Sequence, residues 1–230
     1  MPTVAGIVQS APEGVKGFDA NTRISAAAAQ QFLERGYRFC LRYVGRLGQN
    51  AHDLTRAEAQ DIVNAGLALM VVQHVKSEDG WTPDGALGDT YGVNAATFAG
   101  QAGIPPGVNV WLDLEAVARG TPAANVAAYC ENWYRRVKKA GYVPGLYVGW
   151  HAGLTGRQLY SLPFRHYWGA YNVNDDMKPA CDWCLKQKEP LGGTIAGIRP
   201  DTYDDNVTRT DKAGRNVQWL VSVAHGRQTA

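Results

Sequence analysis

Apolar residues along the chain gather into short runs, separated by stretches whose apolar positions recur at helical spacing. Residues 15–19 predict a brief strand, and residues 25–35 an alanine-rich helix closed by Gly36, where a C-terminal cap is expected. Residues 39–44 predict the next strand. Thr55-Arg-Ala-Glu58 fits a capping box and opens a helix that reaches Gly66. Residues 67–75 read as a third strand, 88–103 as a third helix and 109–115 as a fourth strand. Pro122 starts a long helix that runs to Lys139 and ends at Gly141. Two more strands, 143–148 and 166–171, flank a shorter helix over about residues 155–162.

Alternation of strand and helix with short connections predicts a parallel sheet covered by crossover helices. Six units are clear, and beyond Asn172 residues 183–188 and 201–207 supply two final strands. Eight strands in 230 residues suit a compact α/β fold, a (β/α)8 TIM-like barrel forming a single domain with its core over about residues 15–210. The competing open doubly wound sheet lacks support: Gly17-Phe18-Asp19-Ala20 contains no G-x-G-x-x-G, and no G-x-x-x-x-G-K-[ST] occurs. Nucleotide binding is therefore not expected.

Composition narrows the function classes. A chain that is 45% hydrophobic and 19% charged can bury one sizeable core. Its 23 basic and 21 acidic residues are interspersed and leave a net charge of +2, so nucleic acid is not an expected partner. No run of 18 apolar residues is long enough to span a bilayer, and Met1-Pro2-Thr3-Val4-Ala5-Gly6 lacks the pattern of a secretory signal. A soluble protein without a classical export address is expected. Cys40 and Cys130 read as small buried hydrophobes. Cys181-Asp-Trp-Cys184 leaves a local disulfide, free thiols and a metal pair open, with no second pair of ligands at zinc-site spacing.

The chemistry is expected in Asn109-Val-Trp-Leu-Asp-Leu-Glu115, an apolar run that ends in two carboxylates two residues apart. In an extended strand Asp113 and Glu115 share a face, about 7 Å apart at the backbone. A carboxylate pair in unlike surroundings splits into an ionised group and a protonated acid, the division of labour used in glycosidic-bond cleavage. A barrel works at the carboxyl ends of its strands. Those ends carry Asp19, Arg42 and Tyr43, Gln73 and His74, Asp113 and Glu115, Tyr147, Trp168 and Tyr171, Gln187, and Asp204 with Asn206. Acids and amides beside aromatic rings suit a sugar, which offers C–H faces to the rings and hydroxyls to the polar groups. Strand alternation lets only one of Asp204 and Asp205 face inward; Asp204 is chosen because Asn206 shares its face, and Asp205 reads as a solvated rim charge. Arg42 puts a positive charge beside these acids, and an ion pair with Asp19 or Glu115 would favour the ionised acid. His74 has no nucleophile partner: no G-x-S-x-G elbow is present, and no H-E-x-x-H motif supports a zinc peptidase.

Gly17-Phe-Asp19, Asp113-Leu-Glu115, and Gly197-Ile198 leading to Tyr203-Asp-Asp-Asn206 together resemble lysozyme-type glycoside hydrolase family 25. The closer resemblance is to a relative of that family, the bacterial glycoside-hydrolase-like domain of unknown function 1906, with Phe39-Cys-Leu-Arg-Tyr-Val-Gly-Arg46 as its distinctive second strand. It spans about residues 17–207. The lysozyme-type family implies a (β/α)8-like barrel that cuts the glycan between N-acetylmuramic acid and N-acetylglucosamine in peptidoglycan, without metal or cofactor; the closer family implies the same fold with less settled chemistry. By position, the resemblance makes Glu115 the catalytic acid, Asp113 the neighbouring carboxylate, and Asp19 and Asp204 the flanking acids. Arg42, Tyr43, Gln73, His74, Tyr147, Trp168, Tyr171, Gln187 and Asn206 are the expected substrate contacts. The expectation is a monomeric, muramidase-like hydrolase of cell-wall polysaccharide, delivered to the periplasm or wall by a non-classical route as a phage lysin or secreted effector. The alternative is a catalytically silent carbohydrate-binding barrel.

Overall fold

The computed structural model describes residues 3–76, 80–189 and 192–223. After a short strand β1 (Ile7–Ser10), the chain alternates β2 (Lys16–Ala20), α1 (Ala26–Glu34), β3 (Phe39–Val44), α2 (Arg56–Ala65), β4 (Ala68–Gln73), α3 (Gly85–Gln101), β5 (Asn109–Leu114), α4 (Ala123–Lys139), β6 (Val143–Val148), α5 (Gly156–Ser161) and β7 (His166–Gly169). Three strands follow: β8 (Leu185–Lys188), β9 (Tyr203–Thr208) and β10 (Gln218–Val221). The predicted helix ends are chemically defined. Ser25 Oγ accepts from the Ala28 amide, Thr55 Oγ1 accepts from the Glu58 amide, and Gly66 closes α2 in the left-handed conformation. Glu58 does not complete the capping box, because its carboxylate is turned to Arg42 and the Ile24 amide.

Strands β2 to β9 form a closed ring. From β2 to β8 each neighbour is parallel, with β4 joined to β5, and β9 closes the ring between β8 and β2. The last strand departs from the uniform (β/α)8 expectation, because β9 runs antiparallel to both its neighbours. A 3-10 turn, Asp175–Met177, is the regular element between β7 and β8, and the described residues between β8 and β9 contain no helix. The result is an eight-stranded mixed barrel wrapped by helices. Two further strands were not expected from the sequence: β1 and β10, from opposite ends of the chain, pair antiparallel, and β10 meets β4 antiparallel at Leu220 and Leu69.

Alternation sorts the strand side chains into two layers. Phe18 points outward and stacks on Phe32 of α1, with ring centroids 3.8 Å apart. Inside, Trp111 and Trp168 meet edge to face at 5.7 Å, and Trp168 meets Tyr147 at 4.5 Å. Gly145 makes room for this stack, since a Cβ there would lie 2.3 Å from the Trp111 ring. Trp219 of β10 packs against Phe39 at 5.6 Å at the opposite end from the carboxyl-terminal mouth. Large buried rings fill the barrel, so the mouth is a shallow floor rather than a pore.

Candidate active site

The reversal of β9 decides the site. Its amino-terminal end lies beside the carboxyl end of β2, with Asp19 opposite Asp204 and Gly17 opposite Asn206. Asp204 thus enters the mouth from the start of an antiparallel strand, not from the end of a parallel one as the sequence reading assumed. The chosen face is the observed one. Gln187 Nε2 donates to Asp204 Oδ2 at 3.0 Å and to Asp19 Oδ2 at 3.3 Å, while Asn206 Nδ2 donates to Asp19 Oδ2 at 2.6 Å. Tyr147 fixes this amide by donating its hydroxyl to Gln187 Oε1 at 2.9 Å, and Tyr43 reaches Asp19 Oδ1 at 3.4 Å.

The two carboxyls are pushed toward the protonated form. Burial, followed by the charge of Asp204, raises Asp19 from 3.8 to about 7, against the opposing hydrogen bonds of Asn206, Gln187 and Tyr43. Burial, followed by the charges of Asp205 and Glu189, raises Asp204 from 3.8 to about 6.

On the facing rim Asp113 is buried and Glu115 is half-buried. Tyr147 sits opposite Asp113 in the β5–β6 register. Burial first, and then the charges of Glu115, Asp113, Asp19 and Asp204, raise its hydroxyl pKa well above 10.0. Tyr147 thus links the two sides of the mouth, standing beside Asp113 in the register and donating to the Gln187 amide that holds Asp19 and Asp204. The Glu115 carboxylate lies over Gly149, where a Cβ would come within 2.3 Å of Oε2. Its backbone is pinned by Trp81 Nε1, which donates to the Glu115 carbonyl at 2.9 Å. Trp81 carried no motif and was not anticipated.

The predicted substrate contacts divide. Tyr43, His74, Tyr147, Gln187 and Asn206 gather at the mouth; Tyr171 is exposed at its lip, and Trp168 lies beneath Tyr147, fully buried. His74 stacks on Tyr43 at 4.7 Å and its Nε2 lies 2.6 Å from Asp53 Oδ1, a buried partner that sequence reading missed. A cleft of about 440 Å³ opens over this floor, lined by Asp19, Tyr43, Tyr171, Glu189, Asp201 and Asp204 among others.

Arg42 and Gln73 are corrections. Each precedes a residue that does face the mouth, so alternation turns both outward into the helix layer. Arg42 is fully buried, with Nε 2.7 Å from Glu58 Oε1; its guanidinium also donates to the carbonyls of Ala20 and His52. It pairs with neither Asp19 nor Glu115. Gln73 donates to the carbonyls of Gly45 and Tyr91 and accepts from Trp133 Nε1 at 2.8 Å. Asp205 is likewise no solvated rim charge: it is buried and accepts from the Tyr37 hydroxyl at 2.7 Å. Cys40, Cys130, Cys181 and Cys184 are all buried free thiols. Among the described residues no group of three His, Cys, Asp or Glu side chains is placed to hold a metal ion, and no helix is long and apolar enough to cross a membrane.

The fold recurs in known structures. The Mycobacterium tuberculosis Tat-secreted protein Rv2525c in complex with L-tartrate superposes with a TM-score of 0.65 at 15% identity, covering 89% of this chain and 99% of that one. The bacterial lysozyme from Streptomyces coelicolor matches with a TM-score of 0.55 at 14% identity, over 88% and 95% of the two chains. The catalytic domain of endolysin ply40, from bacteriophage P40 of Listeria monocytogenes, gives 0.57 at 18% identity over 86% and 94%. No curated protein sequence matches the chain. Residues 30–215 match the Rv2525c-like glycoside hydrolase-like domain, and the chain belongs to that family, whose barrel it shares with lysozymes and endolysins.

Proposed function

We propose that the mouth binds a cell-wall glycan and cleaves its glycosidic bonds in the manner of a muramidase, with Glu115 as the proton donor. The observation that carries this reading is the link from Asp113 through the neighbouring Tyr147 to Gln187, whose amide donates to both Asp19 and Asp204, with the Glu115 carboxylate beside Gly149 at the end of the adjacent strand. Glycosidic cleavage needs one carboxylic acid to protonate the leaving oxygen and a carboxylate to offset the oxocarbenium-like charge. Glu115, half-buried at the rim, has access to a bound chain, and Asp113 lies deeper on the same strand face. Asp19 and Asp204, held by the Gln187 and Asn206 amides, offer hydrogen bonds to sugar hydroxyls. Tyr43, His74 and Tyr171 supply ring faces and polar edges at the lip. No step calls for a cofactor. The setting in this reading is the periplasm or cell wall, the protein working as a single-domain monomer; the Tat-secreted Rv2525c offers a precedent for export of this fold.

The experiment is incubation of the purified protein with peptidoglycan, followed by mass spectrometry for new reducing ends. Cleavage that disappears in Glu115→Gln supports the assignment. Full cleavage by that variant removes Glu115 from the chemistry, and binding without products favours a carbohydrate-binding barrel that has lost proton transfer.

A further inference from the structure

The rim opposite the Asp19–Asp204 cleft carries a second, differently built surface. Going round the barrel, β5 and β6 stand across the ring from β9 and β2. The loops leaving β5 and β6 are laced together: the Ala116 amide donates to the Trp150 carbonyl at 2.8 Å, and the Val117 amide to the His151 carbonyl at 2.9 Å. Ala116 and His151 both adopt the left-handed conformation, with φ of 51° and 53°. Two non-glycine residues held this way cost about 1–3 kcal/mol each, and such strain persists where the surroundings enforce it, typically at ligand-holding sites. The strained backbone presents Trp150 outward, 51% exposed, with its indole stacked on the His151 ring at 3.8 Å and 13°. A large ring backed by a second ring and still open on its outer face is a flat, rigid platform.

The platform adjoins the acid. Gly149, over which the Glu115 carboxylate lies, immediately precedes Trp150. A groove of about 460 Å³ is lined by Ala116, Val117, Ala118, Arg119, Trp150 and His151, the residues that follow Glu115 and Gly149 in the chain. It continues into a second groove of about 420 Å³ that shares Arg119 and His151. Arg119, which is exposed, is the permanently charged side chain lining both. The opposite cleft is lined by Asp19, Glu189, Asp201 and Asp204. A chain spanning the mouth would therefore run from an acidic end to a cationic one.

We propose that Trp150, backed by His151, forms with Arg119 a second sugar subsite that takes a pyranose ring bearing an anionic substituent. The inference rests on the glycan-binding reading above and adds the direction of the bound chain: the anionic substituent is placed against Arg119 and away from the acids across the mouth. The ring stacks through its C–H face on the indole, and the guanidinium supplies paired donors to the anion.

The test measures binding by calorimetry in the full-length Glu115→Gln protein, so that ligand is not consumed. One probe is a neutral chitooligosaccharide and the other an alternating N-acetylglucosamine/N-acetylmuramic acid tetrasaccharide. Adding Trp150→Ala is expected to weaken both probes about tenfold, while Trp150→Phe, which keeps a ring, retains most of the affinity. Adding Arg119→Gln is expected to weaken the muramic acid probe alone, by about threefold to tenfold, and to reduce the salt dependence of its binding. Unchanged affinity for both probes after Trp150→Ala overturns the platform while leaving the glycan reading standing. Equal losses for both probes after Arg119→Gln overturn the anionic assignment. If the Glu115→Gln protein binds neither probe, the glycan reading fails and the subsite fails with it.

Discussion

Asp19 and Asp204 face each other across β2 and β9, and a single amide, Gln187 Nε2, donates to both carboxyls. Burial and neighbouring acidic charge raise the two carboxyls to about 7 and about 6. Between about pH 4 and pH 7 the folded protein thus holds more protons here than the unfolded chain. The pair's contribution to stability is fully present below 3.8 and is lost as pH rises through about 6 to 7. Replacing Asp204→Asn removes the neighbouring charge. It is expected to lower the Asp19 midpoint by roughly one pH unit in a carboxyl NMR titration. It is also expected to raise stability at pH 8 relative to the parent by about 1–3 kcal/mol in urea unfolding. An Asp19 midpoint unmoved by this change would argue against the charge of Asp204 as a cause of the shift.

Gly149 tests the placement of Glu115 without touching its chemistry. A methyl group at this position would stand 2.3 Å from Glu115 Oε2 and 2.6 Å from its Cβ, so Gly149→Ala forces the carboxylate to move. A displacement of about 1 Å costs a positioned acid on the order of a hundredfold in rate. The expected result is that loss in kcat/KM on peptidoglycan fragments, with the far-ultraviolet circular dichroism of the parent retained. Parent-like rates in Gly149→Ala would mean that the observed Glu115 position is not the working one.

Arg42 belongs to stability. Its guanidinium is sealed between the barrel and α2, paired with a Glu58 that is equally buried. Arg42→Met leaves the Glu58 carboxylate charged and without its partner, which costs about 3–5 kcal/mol. Chemical denaturation is expected to show that loss, and Arg42→Met with Glu58→Gln is expected to recover part of it. Glycan affinity, measured well below the unfolding midpoint, is expected to stay at the parent value, because the side chain does not reach the mouth.

The contrast between Arg42 and Tyr43 marks what the sequence could and could not reveal. Local chemistry is readable: Thr55 caps its helix, although Glu58 leaves the expected capping box unfinished, and Gly66 closes that helix. Applied consistently, strand alternation would have excluded Arg42 and Gln73, since adjacent strand residues cannot both face inward. It was applied to Asp204 and Asp205, and there it chose the inward residue correctly. Strand direction was not readable. Tyr-Asp-Asp-Asn-Val alternates identically whichever way β9 runs, and the clue lay in the segment before it, where Gly192, Gly193 and Pro200 stand without helical spacing. Asp53 and Trp81 were invisible because each is defined by a contact across the chain, to His74 and to the Glu115 carbonyl.

His74 joins two separable contacts, and two variants tell them apart. Its Nε2 lies 2.6 Å from Asp53 Oδ1, while Asp53 Oδ2 accepts from the Asn50 amide at 2.7 Å. Its ring lies 27° from the plane of Tyr43, the residue whose hydroxyl reaches Asp19. His74→Phe keeps a ring against Tyr43 but leaves Asp53 Oδ1 buried without the imidazole, a loss of about 1–3 kcal/mol in stability. Glycan affinity is expected to persist in that variant, because Tyr43 remains clamped. His74→Ala removes both contacts, so it is expected to match the stability loss and also to weaken glycan binding as Tyr43 gains freedom. Calorimetric titration beside thermal unfolding separates the effects. If His74→Phe loses affinity as far as His74→Ala does, the imidazole itself, rather than the stack it makes with Tyr43, is what the bound sugar meets.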